Sequence, residues 1–240
     1  MKKLLLAALM SAAFVAPAYA TLQLSADING TVFNCVDNNV CDLNPIVGQM
    51  QIANQTLGGV EIVGSSQFQI IGTSNALNTA SFQIINHNLT AATIQFAING
   101  INFLGPVANY SASGAGVWQN ANGSSIGLSY YGDASNTQGA NNPTDLPGLL
   151  LASFSDTAVG PADAFSFSAT GPFAAGGAFG MSLGTTGTLA AWNGQPGAEP
   201  TLVGRSQTML ATNGAFVPEP GTLMLLGAAL LCLCAIRRRT

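Results

Sequence analysis

Positive charge is nearly missing from the middle of this 240-residue chain. Between residues 21 and 216 the one basic side chain is Arg205, and lysine is absent. Nucleic-acid binding needs several cations to neutralise phosphates, so that function class is excluded. Docking on anionic membranes or acidic polymers is disfavoured for the same reason. Schiff-base chemistry has no amine to use. Histidine is as scarce: His87 stands alone between Asn86 and Asn88, where it reads as a surface turn residue rather than a triad base held by a carboxylate. Helical periodicity is missing as well, and glycine is too frequent in this region to favour helices. Disorder is disfavoured too, because 48% of residues are hydrophobic and only 7% are charged, the reverse of a disordered composition.

What is present is period-two alternation. Phe68 and Ile70 alternate with Gln67 and Gln69; Phe82 and Ile84 flank Gln83; Ile94, Phe96 and Ile98 alternate with Thr93, Gln95 and Ala97; Phe165 and Phe167 alternate with Ser166 and Ser168. Such spacing marks strands with one buried and one wet face. Asn-Gly dipeptides at 29–30, 99–100, 122–123, 193–194 and 213–214 supply turn chemistry, because both residues tolerate positive φ. Asn99-Gly100, between two apolar runs, is the best hairpin candidate. Asn86-His87-Asn88 is expected to turn Ser81–Ile85 back along Thr90–Ile98. Gly132–Pro147 and Gly194–Gly204 read as long loops. The expected fold is all-β, one antiparallel sandwich domain over 21–216, with a barrel or solenoid as runner-up; no fixed repeat supports a solenoid.

The carboxylates of this region are Asp27, Asp37, Asp42, Glu61, Asp133, Asp145, Asp156, Asp163 and Glu199. With one guanidinium against them, polar surface must come mainly from Asn, Gln, Ser and Thr. Asp156 and Asp163 are the pair that a carboxylate-based hydrolase would need, with surface acids as the competing reading. Asp37-Asn38-Asn39-Val40-Cys41-Asp42 offers hard oxygen donors that suit calcium, but it lacks the spacing of a full EF-hand loop; a polar closed loop is the competing reading. Trp118 and Trp192 could stack on sugars or pack in a core. The Asn-x-Ser/Thr triplets at Asn54, Asn88 and Asn122 are frequent by chance in such a composition. No catalytic constellation, metal site or cofactor site stands out.

The two ends read differently. Met1-Lys2-Lys3, an apolar run from Leu4 to Ala16, and Ala18-Tyr19-Ala20 form a basic region, a short apolar helix and an A-x-A site. Residues 1–20 are thus expected to be a signal peptide, handled by the export translocon and cut by signal peptidase between Ala20 and Thr21. Export places Cys35 and Cys41 in an oxidising compartment, so a local disulfide is expected. Its short loop limits the entropic gain to about 3 kcal/mol or less. A zinc site would need a further Cys/His pair.

At the other end stand Val217-Pro218-Glu219-Pro220, an apolar segment over 221–236, and Arg237-Arg238-Arg239. The prolines keep their stretch extended and accessible. The apolar segment is 16 residues long, about 24 Å as a helix, and forms a short transmembrane span. The arginines should stay cytoplasmic. Residues 217–240 resemble the PEP-CTERM sorting domain, with Pro218, Glu219 and Pro220 as the sorting motif and Arg237, Arg238 and Arg239 as the stop. The resemblance implies recognition by an exosortase, a membrane cysteine protease. It implies an inner-membrane-anchored intermediate and a final place at the cell surface or outside. An ordinary membrane anchor is the alternative.

Together these readings describe a non-enzymatic surface or matrix protein, structural or adhesive, within an exopolysaccharide or biofilm layer. A carbohydrate- or calcium-binding module is the second reading. A carboxylate hydrolase is the third.

Overall fold

The structure is a computed structural model that describes residues 21–71 and 74–213. The expected signal peptide with Ala20, the sorting motif Pro218-Glu219-Pro220, the 221–236 span and Arg237–Arg239 lie outside the described residues.

Twelve strands and no helix make up the described chain. They are β1 (Leu22–Ile28), β2 (Thr31–Val36), β3 (Gln49–Leu57), β4 (Val60–Ile71), β5 (Ser74–Asn86), β6 (Ala92–Phe103), β7 (Val107–Gln119), β8 (Ser125–Asp133), β9 (Leu149–Thr157), β10 (Ala162–Ala175), β11 (Phe179–Leu189) and β12 (Thr201–Thr212). They form two six-stranded sheets, ordered β2-β1-β6-β11-β8-β9 in the first and β10-β7-β12-β5-β4-β3 in the second. Every paired neighbour is antiparallel. The sheets stack as a sandwich, with β2 over β3, β11 over β12 and β9 over β10.

The alternating runs account for the interior. Ile84, Ile94 and Phe165 are buried with Trp118, Tyr130, Phe103 and Phe179. Rings from both sheets meet under one side of the sandwich: Trp118 to Phe165 at 6.0 Å, Phe154 to Phe167 at 5.0 Å and Tyr130 to Phe167 at 6.0 Å between centroids. Each such pair contributes about 0.5–1.5 kcal/mol beyond area burial.

Several expected turns fall differently. Asn99-Gly100 is not a hairpin: β6 runs straight through it. Asn99 is fully buried, and its side chain bonds the Met181 carbonyl and the Ser182 hydroxyl of β11, so the dipeptide serves packing rather than reversal. The true Asn-Gly hairpin is Asn29-Gly30, with φ of 52° and 82°, joining Ile28 to its partner Thr31, as a type I′ turn requires. The Asn86–Asn88 turn exists, but β5 and β6 lie in opposite sheets. Asn86 makes that crossing by donating to the carbonyls of Thr90 and Ala190. The first loop begins after Asp133, and Thr201–Gly204, read as loop, belong to β12.

With so little charge, buried amides join the parts. Gln207 of β12 reaches the opposite sheet, accepting from the Thr185 hydroxyl and donating to the Gly184 carbonyl. The register shift between Gly204 and Ser206 turns Gln207 inward and leaves Arg205 outside, the re-aiming that a β-bulge performs.

Candidate functional site

Among the described residues, the outward face of the second sheet across β10, β7, β12 and β5 is rich in small uncharged side chains. Register places Ser168, Ser113, Thr208 and Asn78 in one rank across β10, β7, β12 and β5. Thr170, Ser111, Leu210 and Ala76 form the next, and Ser166, Ala115 and Ser206 flank them on the other side. These side chains are exposed or half-buried, whereas their strand neighbours point inward. The Thr208 hydroxyl donates to the Asn78 side-chain oxygen at 3.1 Å. Arg205 and Glu61 are the charges along this face among the described residues. Neighbouring strands lie about 4.8 Å apart, so the hydroxyl and amide groups of these ranks stand in rows, interrupted by Leu210, Ala76 and Ala115.

The carboxylates are engaged elsewhere. Each of the nine accepts a hydrogen bond from the chain itself, and in seven the donor is a backbone N–H. Asp156 accepts from the buried Trp118 indole at 2.8 Å. Asp163, the register partner of Trp118, accepts from the Val159 and Ala164 amides. Those amides hold its carboxyl below the ordinary value. Both carboxylates that a hydrolase would have needed thus hold strand ends and an indole in place. His87 is exposed as expected, but its Nε2 lies 3.3 Å from Glu61 Oε2, a carboxylate that sequence reading did not assign to it. The partner comes from β4, which lies beside β5 in the sheet.

Cys35 and Cys41 are joined, with Cα atoms 5.7 Å apart. In the loop they close, Asp37 accepts from Gly48 N–H at 2.7 Å, and Asp42 accepts from Asn38, Asn44 and Gln51 N–H. The carboxylates read as a possible calcium set therefore accept backbone amides between Asn38 and Gln51. Among the described residues no group of three or more His, Cys, Asp or Glu side chains could hold a metal. Burial raises the Asp37 carboxyl above its ordinary value and the nearby Asp42 charge adds to this, while the Gly48 bond opposes both. A raised carboxyl stabilises the fold when protonated and loses that contribution as pH rises through its folded value. Asp37→Asn keeps an oxygen for Gly48 and removes the repulsion. The variant should have a higher urea midpoint than the parent at pH 7 and an equal one near pH 3; a lower midpoint at pH 7 would overturn this account.

Of the two tryptophans, Trp118 is fully buried, so no sugar can stack on it. Trp192 is half-buried beside Asn88, whose carbonyl accepts its backbone N–H at 2.8 Å. Between the sheets lies a mainly apolar cavity of about 40 Å³ lined by Leu24, Met50, Ile62 and Phe96 with Thr185 and Gln207. Outside the first sheet, Asp27, Thr93, Gln95 and Thr186 border an open trough of about 280 Å³.

These features define an all-β sandwich with one disulfide-closed edge loop and one face that carries few charges. The chain's C-terminal segment identifies its handling: residues 216–239 match the PEP-CTERM protein-sorting motif. The motif makes this an exported, exosortase-sorted protein that passes through an intermediate anchored at its C-terminus. No curated protein matches the chain. Among solved structures, infectious bursal disease virus Gt strain is 14% identical, over 83% of this chain and 57% of that one, with a TM-score of 0.33. TmCBM61 in complex with beta-1,4-galactotriose is 9% identical over 70% and 90%, at 0.30. The K3 cleaved adhesin domain of Lys-gingipain from Porphyromonas gingivalis is 11% identical over 62% and 74%, at 0.27. Likenesses this shallow say nothing of what the chain binds.

Proposed function

We propose that the chain is a non-enzymatic structural protein of an extracellular layer, holding neutral exopolysaccharide against the outward face of its second sheet. The observation that carries this reading is the set of Ser, Thr and Asn side chains in register on β10, β7, β12 and β5. An uncharged polymer presents hydroxyls at many points along its length. A rigid set of donors and acceptors meets it with little ordering cost, and no ion must be desolvated. Sorting by exosortase delivers the chain to the side of the membrane where such a polymer lies. The carboxylates, each bonded within the fold, fit scaffold duty better than acid–base chemistry.

The test raises this face with long side chains. Ser113 and Thr208 are opposed on β7 and β12, so Ser113→Glu with Thr208→Lys forms an opposite-charge pair that the sheet tolerates. In producing cells the full-length variant should move from the polysaccharide layer to the medium. Thr93→Glu with Thr188→Lys, the same pair on the first sheet, should stay with the parent. Unchanged retention of the first variant would overturn the reading.

A further inference from the structure

The sandwich has four edge strands, β2, β3, β9 and β10, and an open edge is a template for another strand. Three of them carry protection. β2 has six residues. β3 is broken by a register irregularity between Ile52 and Gln55. Its free side is also occupied: Leu43 N–H donates to the Gln51 carbonyl, Gln51 N–H donates to Asp42, and Asp42 bridges Ile52. The Cys35–Cys41 disulfide anchors that segment. β9 has nine residues and a register shift at Tyr130 and Tyr131 of its neighbour.

β10 carries none of these devices over most of its length. It has 14 residues, and it pairs with β7 without a break from Ala162 to Pro172. From Ala164 to Ala175 it bears no charge, so two copies can approach without repulsion. Phe165 and Phe167 anchor it from behind against Trp118, Phe154 and Tyr130, which holds the edge ready and lowers the cost of ordering it.

We infer that β10 docks a second copy of this chain, its β10 running antiparallel about a two-fold axis near Phe167, so that the second sheet continues across the dimer. This rests on the reading above, because it joins two hydroxyl-rich faces into one. Exposed apolar residues support the pairing. Leu149, 67% exposed, borders Pro172 and Phe173 at one end of the edge, and Val159, 83% exposed, precedes its other end. Antiparallel pairing about Phe167 brings Ala162 of one copy level with Pro172 of the other, beside that leucine. The interface is isologous and closed, so it yields a dimer rather than a filament.

The experiment uses the full chain in producing cells. Ser166→Cys with Ser168→Cys covers an axis at 166, 167 or 168, because facing strand positions lie within disulfide reach. A reductant-sensitive dimer band is expected from this variant and not from the parent, whose own cysteines serve as control. Thr56→Cys on β3 measures chance collision and should give little. Ser166→Lys with Ser168→Lys faces like charges across the axis and should convert the extracted chain from dimer to monomer with cooperative unfolding kept and a melting temperature no higher than the parent's. Absence of the band, a band no stronger than that of Thr56→Cys, or a dimeric lysine variant overturns the inference. The band is scored whether or not the protein stays with polysaccharide, so failure here is distinct from failure of the proposed function.

Discussion

Gly187→Ala is expected to cost about 3 kcal/mol of stability, lowering the melting temperature by roughly 6–12 °C for a domain of this size. Gly187 lies in β11, inside the first sheet, opposite Ile94 of β6 and Ile126 of β8. A methyl group there would overlap the Ser125 carbonyl oxygen and crowd the Ile126 Cα. Both obstacles are backbone atoms of the neighbouring strand, so relief requires parting the β8–β11 ladder. Gly204 is a useful contrast. A methyl there meets the Phe82 ring, which can rotate aside, so Gly204→Ala should cost less. Gly176 is exposed with nothing near its missing Cβ, and Gly176→Ala should be neutral or stabilising by up to about 1 kcal/mol. Thermal melts of the three variants check the order; a Gly187→Ala protein as stable as Gly176→Ala would refute the steric account.

The same glycines explain which strands were legible. Ile94–Ile98 and Phe165–Phe167 alternate large apolar with polar residues, and their strands are readable at once. β7 buries Tyr110, Ala112, Gly114, Gly116 and Trp118 on its inner phase. Gly114 and Gly116, two of these five, have no side chain to register as hydrophobic. The volume is supplied from elsewhere: Phe165 covers Gly116, and Leu128 with the Tyr130 hydroxyl covers Gly114. The pattern is visible only when two strands are read together. β11, with Gly184 and Gly187, is hidden for the same reason. The disulfide was legible because compartment and spacing are both local facts. The wealth of Ser, Thr and Asn at the surface was legible too, but the His87–Glu61 contact and the strands that gather those residues on one face were not, because each depends on which strands become neighbours. Asn99-Gly100 misled because tight turns and buried amide joints draw on the same two residues, and only the tertiary partner decides between them.

That partner also sets the second large effect, Asn99→Leu. Asn99 is fully buried on β6. Its amide nitrogen donates to Met181 and Ser182, and its oxygen accepts from the Gln138 side chain at 2.8 Å and from Gly139 N–H at 2.9 Å. One side chain thereby ties the 134–148 loop to the outside of the first sheet. Leucine keeps the same branched skeleton of side-chain heavy atoms with bulkier methyl groups, so no cavity forms. What changes is satisfaction: the Gly139 amide loses its acceptor in a buried setting, and the Met181 carbonyl loses a donor. Each buried group left unpaired costs about 1–3 kcal/mol, so the variant should lose about 3 kcal/mol or more. Hydrogen exchange separates this from general weakening. Amides of the 134–148 loop should exchange faster at denaturant levels where β6 and β11 remain protected, because the loop loses its tether before the sheet opens. If β6 and the loop lose protection together, Asn99 serves the sheet alone and the tether reading fails.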